Sequence, residues 1–153
     1  MKENTIVSLA DSNYFELLNE LIDSIKQFDQ SKSIAICILD AGLTEEQKKI
    51  LSVKVDEIKN AEWDIEVPGF KVRGKEWLKS QVSRAFLPNY FPNYKKYLWI
   101  DCDAWVQEWS SIELYFKACE DGKLGITQTI GPGYRIMSKV KWLYGKLAVV
   151  KSQ

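Results

Sequence analysis

No histidine occurs anywhere in this 153-residue sequence. That absence removes Ser-His-Asp and Cys-His catalysis, and every metal site that needs an imidazole from this chain. Cysteine is scarce and odd in number, at Cys37, Cys102 and Cys119. Cys37 lies in an apolar run and Cys102 between two acids, with neither a disulfide framework nor CxxC zinc spacing. Reduced thiols in a cytoplasmic protein are therefore expected. Charge of one sign is not in surplus, since Lys plus Arg equals Asp plus Glu at 21 each. A general nucleic-acid binder needs a basic excess for its phosphate contacts, so nucleic acid is not an expected partner. Long hydrophobic runs are missing too. The opening MKENTIVSLADSNY is too short in apolar residues for a signal peptide, and no stretch reaches the length of a membrane-spanning helix. Repeats, linkers and low-complexity segments are also lacking.

What is present is a composition that folds: 46% hydrophobic and 12% aromatic residues in a chain long enough for one cored domain, residues 1–153. Strand and helix signals alternate along it. TIVSLA (5–10) is a β-branched run, and YFELLNELIDSIKQF (14–28) has apolar residues at helical spacing with acids early and Lys26 late. SIAICILDA (33–41) is a continuous apolar run, the pattern of a strand buried on both faces. GLTEEQKKIL (42–51) predicts a helix with Thr44 as N-cap and Gln47 completing a capping box. AEWDIEV (61–67) alternates as a strand does, and KEWLKSQVSRAFLPNYF (75–91) reads as a helix broken near Pro88. KYLWIDCDAWV (96–106) is the next strand, SSIELYFKACEDGK (110–123) a helix capped by Ser110 or Ser111, and LGITQTI (124–130) a further strand. Such alternation means an α/β fold with a mainly parallel sheet and helices on both faces.

Ligands of open parallel sheets bind at the carboxyl ends of the strands. Three polar groups fall there: Asp11-Ser12-Asn13, Asp40, and the pair Asp101/Asp103. Asp11 also reads as a plain N-cap of the first helix, and Asp40 as a turn-closing residue before Gly42. Residues i and i+2 of a strand point to one side about 6–7 Å apart. Two carboxylates at that spacing repel unless a cation relieves them, and hard divalent ions such as Mn²⁺ or Mg²⁺ suit such oxygens while leaving positions for phosphates. The bland alternative has both acids capping a turn or pairing with Lys95, Lys96 or Arg84. A phosphohydrolase also uses D-x-D after a strand, with the first acid as nucleophile. In that class the motif belongs to the first strand and precedes a hydroxyl residue, whereas Trp105 follows Ala104 here.

The segments TIVSLADSNYFELLNELIDSIKQF, ILDAGLTEEQKKIL and SRAFLPNYFPNYKKYLWIDCDAWV, in that order, resemble the N-terminal half of glycosyltransferase family eight over roughly residues 5–128. Its most specific parts are A-D-x-N-Y, L-D-A-G-L-T-E-E, and an arginine, Arg84, placed 17 positions ahead of Asp101 (101 − 84). The resemblance implies a GT-A-like, Rossmann-type domain of a retaining, metal-dependent enzyme that moves a hexosyl group from a UDP-sugar to a saccharide or glycolipid. It further implies that Asp11 and Asn13, with the backbone near Leu9, hold uracil and ribose, and that Asp101 and Asp103 bind Mn²⁺ or Mg²⁺, with Cys102 between them in the donor site. Arg84 would reach the donor sugar or diphosphate as the one catalytic side chain. The family's later features, an N-x-G/A-type segment, a polar pair near the reacting carbon and a late histidine, have no match here. The expectation is thus a truncated chain, half of a split enzyme, or a non-catalytic nucleotide-sugar-binding module. The basic stretch FKVRGKEWLK (70–79) reads as a solvated loop or a phosphate contact. The tail KVKWLYGKLAVVK (139–151) reads either as a peripheral contact with the inner face of a membrane or as a helix that packs on a complementing half or a second copy.

Overall fold

The computed structural model describes residues 2–66, 69 and 73–126. Among these residues four strands make one sheet in the order β3-β2-β1-β4, and every pair is parallel. β1 (Asn4–Ala10) and β2 (Ala35–Asp40) lie at the centre and are buried almost throughout. Their continuous apolar runs have this cause, since each strand has a packed layer on both sides. Side chains alternate between those layers. Ile6, Ala10, Ile36 and Ile38 face α1 (Phe15–Lys26), α2 (Glu45–Ser52) and α5 (Trp109–Ala118), meeting Leu18, Leu21, Ile22, Leu51, Ile112 and Phe116. Val7, Leu9, Cys37 and Leu39 face the opposite way, toward Ala61, Phe91 and Leu87 of the short α4 (Leu87–Tyr90). The sheet is therefore covered by helices on both faces, as expected of a Rossmann-type unit.

α1 buries its apolar stripe and carries Glu16 in its first turn and Lys26 in its last. α2 opens with the full capping box: Thr44 Oγ1 accepts from the Gln47 N–H at 3.2 Å, and Gln47 Oε1 accepts from the Thr44 N–H at 2.9 Å. All three cysteines are free.

Elsewhere the boundaries move. The third strand is β3 (Glu57–Asn60), ahead of the alternating AEWDIE segment, none of whose described residues is a strand. Asp56 sets that register, because its N–H reaches Ile36 O at 2.8 Å and its carboxylate accepts the Ile36 N–H at 2.9 Å. After Ala61 N bonds Asp40 O, the chain turns to side-chain partners: Glu62 N–H donates to Tyr90 Oη, and the Tyr90 hydroxyl donates to Asp64. The single helix expected over 75–91 is a 3₁₀ turn at Glu76–Leu78, α3 (Lys79–Ser83) and then α4. Its break falls at Arg84–Phe86, and Pro88 starts the last piece instead of ending the one before. α5 begins at Trp109 after Glu108; the Ser111 hydroxyl bonds Glu108 O within the first turn, so neither serine is the cap. Residues 124–126 are not a strand, and the rest of LGITQTI, like the tail 139–151, lies outside the described residues. Among the described residues no helix is long and apolar enough to cross a membrane.

The fourth strand, β4 (Lys96–Trp99), is shorter than KYLWIDCDAWV suggests. It pairs with β1 from Asn4↔Lys96 to Val7↔Trp99, and the last rung is Ile100 N–H to Val7 O at 3.0 Å. Asp101 and Asp103 follow in a turn closed by Ala104 N–H to Asp101 O at 3.0 Å. Both are exposed. The strand-end geometry inferred for this pair is thus replaced by a turn in contact with solvent.

Candidate functional site

β1 and β4 are neighbours and run the same way, so their carboxyl ends bring Asp11 and Asp101 to one end of the sheet. Between them is a cavity of about 320 Å³ lined by Leu9, Ala10, Asp11, Tyr14, Trp77, Ser80, Gln81, Trp99, Asp101, Cys102 and Asp103. Five of the seven residues expected at a donor site share this wall. The other two stand one bond behind it. Asn13 Nδ2 donates to Asp11 Oδ2 at 3.4 Å, and Arg84 Nη2 donates to Asp101 Oδ1 at 3.3 Å.

The Asp11 loop is held from several directions. Asp11 Oδ1 accepts the N–H groups of Asn13 at 2.9 Å and Tyr14 at 3.2 Å, an Asx turn that leads into α1. Tyr14, not Asp11, is the helix cap. Ser12 N–H donates to Gly42 O at 3.0 Å, and Gln47 Nε2 donates to Ser12 O at 3.2 Å, tying this loop to the β2–α2 connection. Gly42 sits there at φ +129°, a conformation that L side chains rarely adopt. Asp40 supports the same connection by accepting from Gly42 N at 2.7 Å and Leu43 N at 2.6 Å, with Lys48 at 3.6 Å, so it has the structural role expected of it.

Among the described residues the acid turn is held on one side. Asp101 Oδ1 receives both Arg84 Nη2 and Trp99 Nε1, the latter at 2.7 Å. The Arg84 guanidinium lies 5.1 Å from the Trp99 ring centroid and is anchored by its Nε to Ser80 O at 2.9 Å. Lys95 and Lys96 pair elsewhere, with Glu3 and Glu120. Asp103 has no hydrogen bond or ion pair among the described residues. Burial pushes the Cys102 thiol up to about 11, and the charges of Asp103, Asp101 and Asp11 add to the effect. Cys102 is thus a protonated, half-buried spacer on which the field of three carboxylates converges.

Six of the lining residues were not singled out as site residues from the sequence: Ala10, Tyr14, Ser80, Gln81, Trp99 and, beyond its place in the basic stretch, Trp77. Tyr14 and Trp99 had a signal, one closing A-D-x-N-Y and the other two positions before Asp101. The basic stretch itself spends Lys79 on Glu76 at 2.9 Å, while Arg73 and Lys75 are exposed.

The donor set suits a hard divalent cation, as it consists of exposed carboxylate oxygens of which one on Asp101 and both on Asp103 have no donor among the described residues. Among the described residues no group of three or more His, Cys, Asp or Glu side chains could hold a metal. A cation here would complete its shell with substrate or water oxygens.

A family model described as glycosyl transferase family 8 matches residues 5–124. Among solved structures, an active-site mutant of LgtC superposes with a TM-score of 0.53 at 22% identity, over 71% of this chain. The galactosyltransferase LgtC in complex with donor and acceptor sugar analogs gives 0.52 at 21% identity, again over 71% of this chain. At such identity the likeness is one of fold. The chain spans 41% of the length of both. Curated proteins gave no match.

Proposed function

The chain belongs to glycosyl transferase family 8, and from that premise we propose that residues 1–153 form the donor-binding unit of a metal-dependent, retaining hexosyltransferase. The donor is a UDP-sugar and the acceptor a saccharide or glycolipid. One observation carries the reading: Leu9, Asp11, Asp101, Cys102 and Asp103 surround one cavity at the carboxyl ends of two adjacent parallel strands. The Asp11 loop, its carboxylate already fixed by Asn13 and Tyr14, presents Asn13 and the backbone near Leu9 to uracil and ribose. Asp101 and Asp103 would hold Mn²⁺ or Mg²⁺, which when bound supplies Lewis acidity to the diphosphate leaving group. Arg84 places a permanent positive charge beside that position and steadies the developing negative charge. No histidine is needed for these roles, and the chain has none.

A second reading, a binding module or the half of a split enzyme, is favoured by one feature. A groove of about 1240 Å³ runs beside β4, lined by Leu98, Ile100, Leu124 and Ile126 among others. Within the described residues β4 pairs with β1 alone, so its other edge is where a complementing half or second copy would seat.

Thermal-shift titration with a panel of UDP-sugars, with and without Mn²⁺, tests the main reading. Metal-dependent stabilisation by UDP is expected, together with its loss in Asp101→Ala plus Asp103→Ala. No stabilisation in the unaltered protein, or an unchanged response in the double variant, would sink it. Sugar transfer separates an active enzyme from a module that binds without turnover.

A further inference from the structure

We infer that Trp99 is a positioning residue, which with Arg84 turns the Asp101 carboxylate so that only its Oδ2 is offered to a cation. The inference rests on the metal-binding role proposed above for Asp101 and deepens it.

A carboxylate oxygen has two lone-pair positions. Both positions on Asp101 Oδ1 are claimed, one by Trp99 Nε1 at 2.7 Å and one by Arg84 Nη2 at 3.3 Å. Among the described residues Oδ2 receives no donor. The two donors are themselves fixed. Trp99 ends β4 in register with Val7 and packs with Val7, Leu9 and Phe91 on one face of the sheet. Arg84 is stacked over the indole at 5.1 Å and bonded through Nε to Ser80 O at 2.9 Å. An exposed turn acid ordinarily samples several rotamers. Here a neutral N–H from a half-buried indole and a guanidinium hold one of its two oxygens, and Trp99 lines the same cavity as the acid it holds. Asp103, two residues later, has no such support.

Two chemical consequences follow. Asp101 would bind a cation through one oxygen, since a bidentate mode would have to displace the indole N–H. Removing that N–H frees the carboxylate to rotate, and the entropy lost on binding the cation then rises. Partners that orient a metal ligand typically change affinity 10- to 100-fold when removed; the lower end, about tenfold, suits an exposed site.

The test is Mn²⁺ titration of the full chain with UDP present, followed by Mn²⁺ electron paramagnetic resonance, for the unaltered protein, Trp99→Phe and Tyr97→Phe. Phenylalanine keeps an aromatic ring at position 99 but has no N–H. Tyr97→Phe is the control for strand damage, because the Tyr97 hydroxyl serves Phe91 O and Tyr94 O and touches neither acid. Trp99→Phe is expected to weaken Mn²⁺ about tenfold, with Tyr97→Phe close to the unaltered protein. In the metal-free protein, the Trp99 indole N–H resonance should be protected from exchange and lose that protection in Asp101→Ala, a readout that needs no cation. Equal Mn²⁺ affinity in Trp99→Phe, an equal loss in Tyr97→Phe, or an indole N–H indifferent to Asp101→Ala would each overturn the positioning role while leaving cation binding intact. If the unaltered protein binds no Mn²⁺, the functional reading itself fails, a result distinct from the other three.

Discussion

Asp40 and Asp101 are both acids at strand ends, and their surroundings give them opposite uses. Asp40 is more than nine-tenths buried and spends Oδ1 on two backbone N–H groups, with Lys48 at 3.6 Å. Asp40→Ala would leave those donors unmet, so a loss of about 1–3 kcal/mol in urea unfolding is expected. Asp101 is exposed and keeps one oxygen unclaimed among the described residues, which is what a ligand needs. This difference was only half legible in the sequence. That Asp40 precedes Gly42 marks it as a turn residue, but nothing in D-x-D says whether its acids are buried. Asp11, Asp101 and Cys102 meet around one cavity because sheet order places β1 beside β4, a fact that spacing along the chain does not contain. Trp99 escaped notice because an aromatic residue in a strand ordinarily reads as core.

At the scale of elements, the legible parts are those whose signal is local. α2 forms where Thr44 and Gln47 form a capping box, and Thr44→Ala should cost about 1 kcal/mol, seen as a lower urea midpoint with unchanged slope. β1 and β2 follow from apolar runs and α1 from its spacing. Elements fixed by distant partners were misjudged. The AEWDIE segment gives the Glu62 N–H and the Asp64 carboxylate to Tyr90 and not to a ladder, while β3 is short, half exposed and placed by Asp56 gripping Ile36. Pro88 reads as a breaker, yet proline in a first helical turn is favourable, and the break falls where Arg84 leaves α3 to meet Asp101.

For the molecule as a whole, one face of the sheet sets an alkaline limit. Cys37, Tyr90, Tyr94 and Tyr97 cluster there, and burial is the first cause that raises each of them above its ordinary value of 9.0 for cysteine or 10.0 for tyrosine. A group whose folded value is raised stabilises fully below its unfolded value and loses that contribution as pH rises toward the folded one. Stability should thus be flat from about pH 7 to 8.5 and fall above about pH 9, read as a declining urea midpoint. Tyr94→Phe should make that fall shallower. The central place of β1 has a kinetic meaning as well. Asp11 and Asp101 stand about ninety residues apart in sequence, and they meet only when β4 docks on a strand made long before it. Closing so long a loop is slow and entropically costly, whereas α1, β2 and α2 can assemble on β1 from nearby sequence. The cavity is therefore expected to mature last, and its occupancy would act as a latch that holds β4 in place.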